Sequence, residues 1–390
     1  MLSGLLMELD DHNCWTIAEA AGHRGPHRLQ HLLSRAVWDD QQVLDIAAAW
    51  AAGHLDDGDA VLIVDETADE KSSADAVGAA RQYSGTVGGI ALCQVAVTLT
   101  YASGRGHALV GRALYLPEGR AADEEHRELA GALLDRAQSL GIRAAFVAGD
   151  EVYGGRELRR GIRQRGMSYC MAVRANHTLT TGSGRAVTAA AAARMIPARA
   201  WHRMRTGTAT KGTRHYDWAM LEVASDDTPG GQPDGHSVLL ARRHRYTGQL
   251  SYYRCWSPGP VPLSKLIAIA SARWRIEEDH QLSKQSTGLD AGQVIRWKSW
   301  HRWTAICLLA YIYLAVAVAV QRQHEAGADL DAGLIPVTVP ELLRLLRDTV
   351  VPPPRRDRAH KLHWSYWRRR HQHRARQAHQ RWNAYAETTP

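Results

Sequence analysis

The sequence predicts an α/β fold: a mixed sheet with flanking helices, a β-rich insertion, and helical N- and C-terminal regions. Three observations predict it. Two short apolar runs, Ala60 to Val64 and Ala144 to Ala148, are bounded by polar residues and read as strands buried on both faces. Two longer β-rich segments, Ala91 to Tyr101 and Ala108 to Leu116, flank Ser103-Gly104-Arg105-Gly106 and read as a hairpin. Amphipathic stretches separate the later strand-like runs, so the chain mixes sheet and helix.

The elements follow in order. Residues 1–57 form a helical N-terminal region. Asn13 can cap a helix starting at Trp15, Leu29, Leu32 and Leu33 share the face of a second, and Asp39 precedes a third running to about Trp50. Residues 58–176 carry three strands, then a helix from Asp123 to Leu140 ended by Gly141. A strand ending at Gly149-Asp150, a helix from Arg156 and a strand from Tyr169 to Val173 complete this part. Residues 177–262 read as short strands, among them Asp217 to Val223, Ser237 to Leu240 and Ser251 to Cys255, and form the insertion. Residues 263–350 return to helix at Leu263 to Ser286, Ser299 to Gln321 and Val339 to Asp348. Pro352-Pro353-Pro354 is a stiff link to a basic tail within residues 351–390.

The chain has 390 residues, 45% hydrophobic and 23% charged, which suits two or three globular domains and excludes a fibrous or wholly disordered protein. The formal charge is +8, and it is localised. From Arg355 to Trp382 there are ten Lys and Arg against one acid, a local +9 that leaves −1 for the rest. An anionic polymer is the expected partner of that stretch. Five scattered cysteines with no CxxC pair argue against a disulfide framework or structural zinc, and fit a cytoplasmic location. The N-terminal residues meet acids at once and do not read as a signal peptide. The apolar run Ala305 to Val320 is shorter than the roughly 18–20 residues of a spanning helix, so it is expected to be a buried helix, with no membrane as partner.

Both apolar runs end in an acid, Asp65 and Asp150. A strand-end aspartate commonly caps the turn that follows, but two such acids on neighbouring strands can build a site. A third acid, Glu277, lies in a helical stretch. At about 100° per residue, Arg273 and Lys284 fall about 40° and 20° from it, so the three share one stripe. Glu278 points elsewhere. A solvated ladder of charges has the same spacing; Trp274 and Ile276 indicate that the helix also has a buried side.

These residues resemble a known family. Asp65-Glu66-Thr67, Arg81 to Thr86 and Cys93-Gln94-Val95 are similar to the first catalytic block of bacterial insertion-sequence DDE transposases. Ala148 to Gly154 is similar to the second. Arg273, Glu277 and Lys284 match the third, with Ala270 at its usual tyrosine. Gly288-Leu289-Asp290 and Trp300-His301-Arg302 match as well, and the insertion-sequence 701 type is the nearest group. The resemblance runs from Leu5 to about Arg376. It implies a ribonuclease-H-like catalytic domain, with Asp65, Asp150 and Glu277 as a catalytic, metal-binding triad. It also implies cleavage and strand transfer of double-stranded DNA at the ends of an insertion sequence, by a homodimer on DNA.

The residue types suit that chemistry. Carboxylates without a Cys/His cluster favour Mg²⁺, with Mn²⁺ as a substitute, over zinc. Arg273 and Lys284 are candidates for gripping phosphates, and Lys71 and Arg81 for contacts in the segment after Asp65. The tail interleaves Arg368, Arg369 and Arg370 with Trp364, Tyr366 and Trp367, a DNA-binding pattern. Trp274, Trp297, Trp300 and Trp303 can stack on a displaced base, although core packing is expected for three of them. The alternative function is a truncated or decayed transposase that binds DNA without cutting it. A glycosidase with paired carboxylates explains neither the basic tail nor the Arg/Lys stripe.

Overall fold

The computed structural model describes residues 1–85, 88–117, 122–209, 212–327 and 334–388; Thr86, which ends one segment of the family resemblance, lies outside the described residues. Four helices come first: α1 (Leu2–Leu6), α2 (Cys14–Ala20), α3 (His27–Ser34) and α4 (Asp40–Leu55). Asn13 caps α2 by accepting from the backbone of Trp15 and Thr16, and Thr16 returns a bond to the Asn13 backbone. Asp39 caps α4 through the Gln42 amide.

The sheet begins with β1 (Val61–Glu70), β2 (Ala80–Ser84), β3 (Gly89–Ala102) and β4 (His107–Leu114). Helix α5 (Ala122–Ser139), β5 (Phe146–Gly149), α6 (Arg156–Gln164) and β6 (Ser168–Val173) follow. β1 pairs antiparallel with β3 and parallel with β5, and β5 pairs parallel with β6. The Ser103–Gly106 turn closes the β3–β4 hairpin, with the Ser103 amide donating to the Gly106 carbonyl. β1 does not stop at Asp65. It stays paired to β3 as far as Glu70, while its pairing with β5 ends at Val64 and Gly149.

The stretch that follows contains β7 (Thr178–Thr180), β8 (Ala186–Thr188), α7 (Ala189–Met195), β9 (His202–Ala209), β10 (Gly212–Glu222), β11 (His236–Arg243) and β12 (Leu250–Ser257). Its last four strands continue the same sheet: β12 lies antiparallel against β6, and the order runs β2-β3-β1-β5-β6-β12-β11-β10-β9, with β4 also on β3. A buried ionic knot fastens this extension. Arg159 and Arg163 of α6 reach Asp227 at 2.9 and 2.7 Å, and Arg159 and Arg254 of β12 reach Asp226 at 2.8 and 2.9 Å. Those guanidinium groups outweigh burial and hold the Asp226 carboxyl well below its ordinary range.

Helices α8 (Leu263–Ala272), α9 (Trp274–Thr287), α10 (Trp297–Gly327), α11 (Val339–Thr349) and α12 (Arg358–Thr388) complete the chain. The helix expected from Leu263 to Ser286 is interrupted at Arg273, so α8 packs on β5 and β6 while α9 packs on β1 and β3. α10 is long and apolar enough to cross a membrane by length and composition, yet 78% of that stretch is buried inside the protein. It packs against α4, β4 and α9, as a helix apolar on every side should. Arg112 of β4 donates to Thr304 Oγ1 and to the His301 carbonyl, both at 2.9 Å, and Arg302 donates to the Leu32 and Trp38 carbonyls, both at 3.1 Å. Trp300 and Trp303 are core residues, whereas Trp274 and Trp297 are about half exposed, so two of the four tryptophans pack inside rather than three.

Candidate active site

The site forms where β1 and β5 part. Their parallel pairing carries two buried apolar runs side by side, and the next residue on each strand is an aspartate. Each aspartate makes a local bond of the capping kind: Asp65 Oδ1 accepts from the Glu66 amide at 2.9 Å and Asp150 Oδ1 from the Val152 amide at 2.8 Å. Asp65, Glu66 and Asp150 each offer an oxygen lying within 4.8 Å of the other two.

Glu277 is not in that group of three, but a single guanidinium joins it to the group. Arg273 approaches Asp65 Oδ2 at 3.5 Å with one terminal nitrogen and Glu277 Oε1 at 2.8 Å with the other. Seven residues beyond Glu277, Lys284 meets β1 again, at Asp69 Oδ1 (2.6 Å) and Thr67 Oγ1 (2.7 Å). The Arg273–Glu277–Lys284 stripe therefore lies along β1 from Asp65 to Asp69.

Buried polar bonds on another face of α9 fix this register. Asp279 accepts from Thr100 Oγ1 at 2.7 Å, meets His107 Nδ1 at 2.7 Å, and accepts from the Tyr311 hydroxyl. His280 Nε2 lies 2.7 Å from Thr98 Oγ1, and Thr98 is the β3 partner of Asp65.

Crowded carboxylates resist ionisation. Burial, then the charges of Asp150 and Glu66, push Asp65 well above the ordinary carboxyl range. Burial and Glu66 push Asp150 up to about 6, with the Val152 amide and Arg273 opposing. A hard divalent cation would relieve that repulsion, and an all-oxygen donor set is what such an ion takes. No histidine or cysteine belongs to the cluster.

The remaining candidate residues divide. Arg81 is exposed on β2. Lys71 does not face solvent as a DNA contact would: its ammonium is buried and donates to the Asp290 and Gly292 carbonyls at 2.9 and 3.0 Å. It ties the segment after β1 to the turn after α9, because a buried ammonium must find acceptors. Arg368 pairs with Glu19, while Arg369 and Arg370 are exposed on α12. Two residues of the cluster escape sequence reasoning, Glu66 and the buried Tyr153 that donates to it at 2.7 Å. The Asp-Glu pair was a visible signal, but strand alternation argues against both side chains sharing a site.

Residues 1–218 match the family model described as DDE superfamily endonuclease. The chain belongs to that family. Enzymes of this superfamily use divalent metals, and the cluster of Asp65, Glu66 and Asp150 suits such an ion. The matched span includes both aspartates and ends before Glu277. The chain is also similar to a probable transposase for insertion sequence element IS701 from Microchaete diplosiphon, 28% identical over 181 residues. That alignment covers 45% of this chain and 47% of the relative, so the chain spans about half the length of the curated relative it matches.

Proposed function

We propose that the protein is a DNA transposase that cleaves double-stranded DNA at the ends of an insertion sequence and joins the released ends to a target. Asp65, Asp150 and Glu277 are its catalytic carboxylates and would hold Mg²⁺, or Mn²⁺ in its place. The observation that carries this reading is the approach of Asp65 and Asp150 at the parting of β1 and β5, with Glu277 at the far end of the Arg273 guanidinium. Family membership and the named relative support it.

The ion, when bound, would stabilise the attacking and leaving oxygens of phosphodiester exchange. The chain's own residues do the rest. Arg273 and Lys284 stand beside the carboxylates and can turn toward phosphate oxygens. Arg81, Arg368, Arg369 and Arg370 hold the duplex further out, and two copies on DNA, in the cytoplasm, would bring two ends together.

A second reading has one observation in its favour. Arg273 already neutralises Asp65 and Glu277, as a residue retained for structure would, and a protein of that kind holds DNA without cutting it. One experiment separates them. The purified chain is incubated with supercoiled plasmid carrying the element ends, with Mg²⁺, Mn²⁺ or chelator. The transposase reading requires metal-dependent nicking at the ends that D65N, D150N and E277Q each abolish while duplex binding persists. Binding without nicking in either metal sinks it.

A further inference from the structure

We propose that the outer half of α12, Arg370 to Tyr385, is a reading helix that enters the major groove of duplex DNA and confers sequence preference over about five base pairs. The inference rests on the proposal that the protein acts on DNA.

α12 has two unlike halves. The inner half is docked on α2, α3 and the turn between them. Trp364 is fully buried and donates its indole N–H to the His23 carbonyl at 2.9 Å. His360 Nε2 contacts the Glu19 carbonyl at 2.7 Å, His363 Nε2 the Arg24 carbonyl at 2.8 Å, and Trp367 packs edge-on against Trp15 at 4.8 Å. From Gln372 to Tyr385 every residue except Ala375 is exposed.

That outer half is electrostatically unbalanced. Arg370 to Tyr385 holds four arginines and no acid, and Arg368 and Arg369 directly precede it. Arg370 and Arg374 repel at the i, i+4 spacing, and nothing in the span offsets them. A second copy of the same face would only repel it further, whereas a polyanion neutralises it.

The arrangement is more specific than charge. At about 100° per residue, Arg370, Arg374, Gln377 and Arg381 fall within about 60° of one another. They cover roughly 16 Å of helix axis, about five base pairs of rise. Arginine binds guanine O6 and N7 in bidentate fashion, and glutamine binds adenine N6 and N7. Arg369 and Arg376 lie about 100° round the helix, toward the phosphates of the groove wall. A phosphate clamp needs charge alone; the uncharged Gln377 amid three arginines is the composition of base readout.

The test uses the full chain, a library of randomised duplexes and one fixed duplex of unselected sequence. The wild type is expected to enrich a short guanine- and adenine-containing motif. R374A/R381A should lose about tenfold affinity per arginine for the selected duplex and much less for the unselected one. R369A/R376A should weaken both alike and flatten the dependence of log K on log salt by about 1–2. All four side chains are exposed, so unchanged circular dichroism is expected. Failure to enrich a motif, the same motif enriched by R374A/R381A, or equal losses on both duplexes with a flattened salt dependence overturns the inference. So does loss of dimer in R374A/R381A with DNA affinity unchanged. If the wild type nicks DNA yet enriches no motif, this inference alone falls; if it binds no duplex, the proposed function falls too.

Discussion

Tyr153 donates its hydroxyl proton to Glu66 Oε2 at 2.7 Å, joining the turn after β5 to the residue beside Asp65. Tyr153 is buried, so no bulk water replaces the bond if it is lost. The partner carboxylate lies within 4.8 Å of oxygens of both Asp65 and Asp150. Y153F should therefore lower the unfolding free energy by about 1.5–3 kcal/mol, the range for hydrogen bonds to charged groups. Urea melts check this, and a melt that superimposes on the wild type would show that the bond adds nothing.

The carboxylate cluster should make stability depend on pH in an unusual direction. Asp150 is raised to about 6, against about 3.9 in an unfolded chain. Between those values the native state keeps a proton that the unfolded chain releases. This contribution is complete below about pH 4 and is lost as pH rises through about 6. In chelator at pH near 8, D150N should melt above the wild type, and the gap should close toward pH 4. Adding Mg²⁺ at the higher pH should raise the wild-type Tm and leave D150N unmoved.

His107 should act at higher pH. Against the lowering effect of its burial, Asp279 and Glu278 raise it to about 9. An unfolded histidine titrates near 6.5, so the stabilisation is complete below about that pH and is lost as pH rises through about 9. The wild type should lose stability between pH 6 and pH 10, and H107Q should lose less over the same interval in urea melts. D279A, which leaves the buried imidazolium only Glu278 and removes the acceptor of the Thr100 and Tyr311 hydroxyls, should cost about 3–5 kcal/mol near neutrality.

D227A should loosen the sheet extension. It strands the buried Arg163 without a carboxylate, leaves Arg159 with Asp226 alone, and removes the acceptor of the Tyr169 hydroxyl at 2.5 Å. A loss of about 3–5 kcal/mol is expected. Limited proteolysis should then cut faster between β10 and β11. Equal cleavage rates would mean that Asp226 alone holds the link.

W364A should release the inner half of α12. Removing a fully buried tryptophan costs about 3–5 kcal/mol. Trp15 loses a packed neighbour once Trp367 lifts away, so its fluorescence should shift to the red. A spectrum identical to the wild type would place the docking elsewhere.

Much of the fold was legible because burial writes itself into sequence. The apolar run ahead of Asp65, the turn at Ser103–Gly106 and the apolar α10 each carry a periodicity or composition with one reading. Strands that no individual segment announced include β2 and β9, whose Arg-Gln-Tyr and His-Arg-Met-Arg stretches are polar because they lie at sheet edges. The end of β1 was placed early because its continuation depends on β3, not on its own residues. In the site, the meeting of Asp65 with Asp150 follows from strand pairing, which apolar runs suggest. The roles of Glu66 and Lys71 depend on Tyr153 and on the Asp290–Gly292 turn, partners distant in sequence that no local pattern announces.

The antiparallel pairing of β12 with β6 has a consequence for synthesis. β6 leaves the ribosome with its outer edge bare, and the partner at Tyr252 is translated long after Val173. At about 5–20 residues per second the interval is roughly 4–16 s. During that time a nascent chain already holding Asp65 and Asp150 lacks α9 and exposes an apolar strand edge, the kind that recruits other chains. Transcripts broken before the β12 codons would yield fragments prone to aggregate, so a cell that makes this protein has reason to keep chaperones near its ribosomes.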